Sequence, residues 1–109
     1  MDEIKSLQRA VERFSEERDW QQFHNGKDLA MALSIEASEL LELFLWKRPE
    51  EASREKIAEE LADVINYALL MASAYGLDVD TIVRRKMERN AEKYPIEKAK
   101  GVATKYNEL

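Results

Sequence analysis

An all-α fold, built like a four-helix bundle, follows from three features of this 109-residue sequence. Its three Gly and two Pro residues each fall where a helix should begin or end. Its apolar residues recur at helical spacing, with no stretch of strict alternation that would mark a strand. Its composition is rich in Ala, Leu, Glu, Lys and Arg, the residues with the best helix propensities. The first helix is expected over residues 4–18, with Asp2 as N-cap and Ile4, Leu7, Val11 and Phe14 as its apolar stripe. Residues 19–27 read as a connection that carries Trp20, Phe23 and His24. Asp28 can cap a second helix running to Trp46, and Pro49 opens a new turn. A long third helix covers 53–75 and is closed by Gly76. Asp78 or Asp80 caps a fourth, which ends near Tyr94 because Pro95 cannot continue it. Residues 96–109 form a polar tail or arm, and the whole chain, 1–109, is read as one domain.

Composition excludes several chemistries. With no cysteine there is no disulfide, no thiolate nucleophile and no Cys-based zinc site, and a single histidine, His24, cannot build a His-rich one. Seventeen basic against 22 acidic residues give a net charge of −5, a poor match for duplex nucleic acid. The longest nearly apolar run, 67–75, is too short to span a bilayer and the N-terminus is charged, so a cytoplasmic address without membrane contact is expected. Helices this apolar in so short a chain point to subunits that share a core.

The anomaly lies among the carboxylates. Glutamates on a solvated helix face usually have a basic residue three or four positions away, as Glu88 has in Arg84 and Arg85, and Glu92 in Arg89. Glu36 and Glu39 instead lie on or beside the stripe Leu29, Leu33, Leu40 and Leu43, with no cation at that spacing. Glu60 and Asp63 flank the next helix's stripe of Ile57, Leu61, Val64, Ala68 and Met71, with only Lys56 in local reach. Packed as neighbours, the two helices bring four carboxylates together, and such a cluster repels unless a cation joins it. Its oxygen-only donor set suits Mg²⁺ or Mn²⁺ and leaves positions for water and phosphate. The plainer alternative is a pair of amphipathic helices whose glutamates edge the stripe.

Other residues bear on the choice. Trp20, Phe23, Trp46 and Tyr67 stand close in sequence to the acidic helices and can stack a base or fill a core, the latter being the expectation for Phe23. Arg84, Arg85, Lys86, Arg89 and Lys93 make the fourth helix locally basic, with Lys86 the best placed to meet phosphate and Asn90 and Tyr94 able to add hydrogen bonds.

The strings Ile35-Glu36-Ala37-Ser38-Glu39-Leu40-Leu41-Glu42 and Glu59-Glu60-Leu61-Ala62-Asp63-Val64 resemble the E-x-x-E…E-x-x-D signature of the all-α, MazG-like nucleoside triphosphate pyrophosphohydrolases. Arg18-Asp19-Trp20-Gln21-Gln22-Phe23-His24, Leu43-Phe44-Leu45-Trp46, Lys86-Met87-Glu88-Arg89-Asn90 and Lys93-Tyr94-Pro95 are similar to the dCTP pyrophosphatase branch. The resemblance implies Mg²⁺-dependent hydrolysis of a nucleoside triphosphate, dCTP or a modified cytosine deoxynucleotide first, to the monophosphate and pyrophosphate. It implies Glu36, Glu39, Glu60 and Asp63 as metal ligands and Trp20 and Trp46 at the base. One of the four carboxylates accepts the proton, a choice the sequence leaves open and for which Glu39 is the candidate. His24, Tyr67 and Asn90 would surround the nucleotide, and Lys86 and Lys93 would lie towards the phosphates; Tyr94 joins the substrate-binding set as a hydrogen-bonding residue beside them. It also implies a homo-oligomer, a dimer of dimers. Departures at Gly26-Lys27-Asp28, Leu45 and Val11 bear on base and sugar preference, so dATP and dUTP stand as alternative substrates. A non-catalytic helical interaction module is the rival from another class.

Overall fold

Each long helix starts on a side chain that accepts a hydrogen bond from an otherwise unsatisfied backbone N–H. In the computed structural model, which describes residues 2–109, Asp2 accepts from Ile4 N–H at 3.0 Å and opens α1, Glu3–Glu17. Asn25 opens α2, Gly26–Glu42, accepting from Asp28 N–H at 2.9 Å. Ser53 opens α3, Arg54–Ala74, and Asp78 opens α4, Val79–Lys93. The expected tail contains a single helical turn, α5, Ile96–Ala99, and a 3-10 turn, Tyr106–Glu108. Further 3-10 turns, Gln21–Phe23 and Pro49–Glu51, interrupt the connections before α2 and α3. Every regular element among the described residues is helical.

Two expected boundaries of α2 move. Asp28 is its third residue, not its cap, and its carboxylate accepts from the Asn25 amide at 2.8 Å while Asn25 accepts its N–H, a reciprocal arrangement like a capping box. Gly26, expected within the connection, is the first helical residue, and its lack of a side chain makes room for the Tyr75 hydroxyl, which a methyl group there would meet. At the other end α2 stops at Glu42, four residues short of Trp46. Short-range bonds from Phe44 N–H to Leu41 O and from Leu45 N–H to Glu42 O tighten the chain. Trp46 then turns it through a φ of +62°, an uncommon conformation for a bulky side chain.

The chain divides into two compact units, 1–77 and 78–109. In the first, α3 packs along α2 and, over a shorter stretch, against α1. Leu29, Leu69 and Ala72 are its buried apolar residues, with Ser15 buried beside them. A polar cross-link joins α1 to α3: the Gln8 amide donates to the Ser73 hydroxyl at 2.9 Å, which in turn donates to Glu12. Met31, Ile35, Leu41 and Leu45, with Leu61 and Ile65 of α3, remain between 44% and 61% exposed. In the second unit the Tyr106 ring meets Tyr94 edge-on at 6.0 Å and lies 4.8 Å beneath the Lys93 ammonium. Arg84 pairs back to Asp80 at 3.0 Å. Among the described residues, no helix is long and apolar enough to cross a membrane.

Candidate active site

The helical spacing of three residues puts Glu36 and Glu39 one turn apart on α2, and Glu60 and Asp63 one turn apart on α3. Packing of the two helices brings Glu36, Glu60 and Asp63 together, with one carboxylate oxygen from each within 4.8 Å of the others. Glu39 lies outside that trio but touches it. Its hydrogen bond to Glu36 is the main reason that the Glu36 carboxyl titrates at about 7, with burial and the charges of Glu39, Asp63 and Glu60 adding to the effect. Glu60 is also pushed up, first by burial and then by Glu39. Among the described residues neither Glu36 nor Glu60 has a cation within ion-pair distance. Moreover, the Oε2 atoms of both are buried without any hydrogen-bond partner.

A buried anionic oxygen without a partner is costly, and clustering like charges adds to that cost. A hard divalent cation fits the donor set: the ligands are all oxygen, and the two orphaned atoms gain the partner they lack. Zinc or a soft metal does not suit a site without Cys or a clustered His.

The same face of α3 continues from the acidic trio into a cavity of about 320 Å³. Asp63 lines both, followed by Asn66, Tyr67 and Leu70. The opposite wall comes from α1 and the connection after it: Phe14, Trp20 and His24. Trp20 meets Phe14 edge-on at 5.8 Å and 66°. An acidic cluster thus opens onto an aromatic cleft wide enough for a flat heterocycle, the arrangement a nucleoside phosphate would need.

Of the candidates read from sequence, Trp20, His24, Tyr67 and the acidic residues are therefore neighbours. Trp46 is not: it is 100% exposed and does not line this cavity. Phe23, expected in the core, is 62% exposed, since the 3-10 turn that carries it faces outward. Lys86, Asn90 and Lys93 are exposed on α4 and Tyr94 forms its C-cap, all within the second unit. Phe14 and Asn66 were not foreseen as cleft residues. The signal for Asn66 was available, since it stands one turn beyond Asp63 on the same face.

A family model, the MazG-like family, matches residues 31–109, which include most of α2, all of α3 and α4, and all four acidic residues. The chain belongs to the MazG-like family. Within it, the protein is a nucleoside triphosphate pyrophosphohydrolase. It is 38% identical to dCTP pyrophosphatase 1 of Bos taurus over 97% of this chain and 68% of the relative. The human enzyme of that name is also 38% identical, over 97% of this chain and 67% of its own length. A crystal structure of a pyrophosphatase from Archaeoglobus fulgidus superposes with a TM-score of 0.80 at 34% identity, covering 87% of this chain and 94% of that one.

Proposed function

We propose that the protein hydrolyses a deoxynucleoside triphosphate, dCTP or a modified cytosine deoxynucleotide, to the monophosphate and pyrophosphate, that it uses Mg²⁺, and that it works as a homo-oligomer. The observation that carries this reading is the pair of partnerless buried oxygens on Glu36 and Glu60, set beside a cleft walled by Trp20 and Phe14. The choice of dCTP rests on the names of the mammalian relatives.

Glu36, Glu60 and Asp63 would hold the cation, with Glu39 completing the set. When bound, it supplies positive charge to the triphosphate oxygens and lowers the pKa of water. Trp20 stacks the base while His24 and Tyr67 contact the nucleoside from the two walls of the cleft. Trp46 joins the base-binding set, and Lys86, Asn90, Lys93 and Tyr94 the nucleotide-binding set, on the resemblance alone. Water attacks the α-phosphorus, the bond to the bridging oxygen of the β-phosphate breaks, and a carboxylate takes the proton released. Glu39 has that role, because it sits against Glu36 and Glu60 yet outside the trio.

The test is a panel of nucleoside triphosphates assayed for pyrophosphate release, with Mg²⁺ and with EDTA. The highest kcat/KM is expected for dCTP, with activity lost in EDTA. A preference for dATP or dUTP would move the base assignment and leave the reaction class intact. Absence of pyrophosphate release from every triphosphate would overturn the proposal and favour a helical interaction module.

A further inference from the structure

The wall that holds Trp20 is built by the end of a helix. The last turn of α1 closes with Trp20 N–H donating to Ser15 O at 2.9 Å and Asp19 N–H donating to Glu16 O at 3.0 Å. This is a Schellman motif, in which the residue after the cap adopts a left-handed conformation, usually as glycine. The end of α3 makes the same pair of bonds, Leu77 to Ala72 at 2.8 Å and Gly76 to Ser73 at 3.1 Å, around Gly76 at φ +62°. In α1 the left-handed residue is Asp19, at φ +55°. A side chain there is disfavoured relative to glycine, and in this chain it has a holder. The Gln22 amide donates to the Asp19 carbonyl at 2.9 Å and to its carboxylate at 3.2 Å.

The next residue, Trp20, folds back onto Phe14, the hydrophobic contact that this type of cap favours. Arg18, the cap itself, clasps Phe14 from another side. Its guanidinium stands 3.6 Å from the Phe14 ring centre and 6.0 Å from that of Trp20, and its Nη1 donates to the Phe14 carbonyl at 2.9 Å. Phe14 and Trp20 line the cleft, whereas Arg18 and Asp19 do not. Trp20 is 45% exposed, so burial alone does not fix its direction.

We infer that Arg18 and Asp19 are positioning residues, which hold Trp20 in the orientation that receives the base. The inference rests on the proposed role of Trp20 as a stacking face. A wall ordered before the nucleotide arrives spares the ordering cost at binding, so its effect falls on KM.

The experiment compares W20A, R18K, D19G and the double variant D19G/W20A by kcat, KM and melting temperature, with dCTP as substrate or whichever triphosphate ranks first in the panel. Glycine suits the backbone at position 19, so D19G should melt at or near the wild-type temperature. Its KM should rise about two- to fivefold with kcat within about twofold. R18K keeps the charge and loses the planar stack, and should raise KM by about two- to fivefold. In the W20A background D19G should add nothing to KM, because Trp20 is the group it positions. Wild-type KM in D19G and R18K, or an equal effect of D19G with and without Trp20, would overturn the inference while a raised KM in W20A kept the stacking role. Wild-type KM in W20A would remove both.

Discussion

At Glu36 the carboxyl is raised from its ordinary value of 4.5 to about 7, by its hydrogen bond to Glu39, by burial and by three neighbouring charges. The folded protein therefore holds that proton more tightly than the unfolded chain does. The associated stability is complete below about pH 4.5 and is lost as the pH rises through about 7. In EDTA, E36Q should melt above wild type at pH 8 and lose that advantage at pH 5, as read by calorimetry. Adding Mg²⁺ at pH 8 should raise the melting temperature of wild type more than that of E36Q, since the amide is the weaker ligand. Turnover by E36Q or D63N should fall by more than the ten- to hundredfold typical of residues that merely support a ligand. Near-normal kcat in both would remove the acidic trio from the mechanism. Glu36, Glu39 and Asp63 were legible in the sequence because an anion beside an apolar stripe without a cation three or four positions away needs an explanation, and Glu60 followed from its place one turn before Asp63. Phe14 was not, because an apolar residue on a helix stripe is already explained by packing, and Asn66 could be reached only through its place one turn beyond Asp63.

Helix ends carry much of the local design, and they were only partly readable. The cap Asp2, the cap Asp78 (one of two candidates for α4) and the stop at Gly76 follow from residue type, while Ser53, expected as the first residue of α3, is its cap. The end of α1 near Arg18 was readable, but the left-handed turn at Asp19 was concealed, because the residue there is not glycine and its holder, Gln22, lies further along the chain. Gly26 marks a helix start as its residue type suggests, but the reason for glycine there was hidden, because it depends on Tyr75, 49 positions away in sequence and placed only by the fold. Alanine at an ordinary helix position is favoured over glycine by about 1 kcal/mol. G26A should therefore be destabilising or neutral in wild type, where Tyr75 must move, and stabilising in a Y75A background, giving a measurable coupling in a double-mutant cycle. Additive effects would mean that Tyr75 does not restrict position 26. N25A should cost about 1 kcal/mol in chemical denaturation, the usual loss for an N-cap.

For the molecule as a whole, the described residues bury few apolar side chains, while Met31, Ile35, Leu41, Leu45, Leu61 and Ile65 of α2, its C-terminal turn and α3 stay exposed. A surface of that kind marks an interaction site on a chain of this size. Light scattering at micromolar concentration should give a mass well above the 12.7 kDa of one chain, and I35E or L61E should shift it towards that value. A monodisperse wild-type monomer would leave the exposed face unexplained. Trp46, fully exposed at φ +62° next in sequence to Leu45, offers an optical signal. An uncovered indole emits at the long wavelength characteristic of water, and moves towards the blue when another surface excludes solvent from it. With Trp20 as the second indole, already partly screened by Phe14 and Arg18, a blue shift of the intrinsic fluorescence with rising protein concentration is the expected outcome if a second copy covers Trp46, and an unchanged spectrum would leave Trp46 outside any such contact.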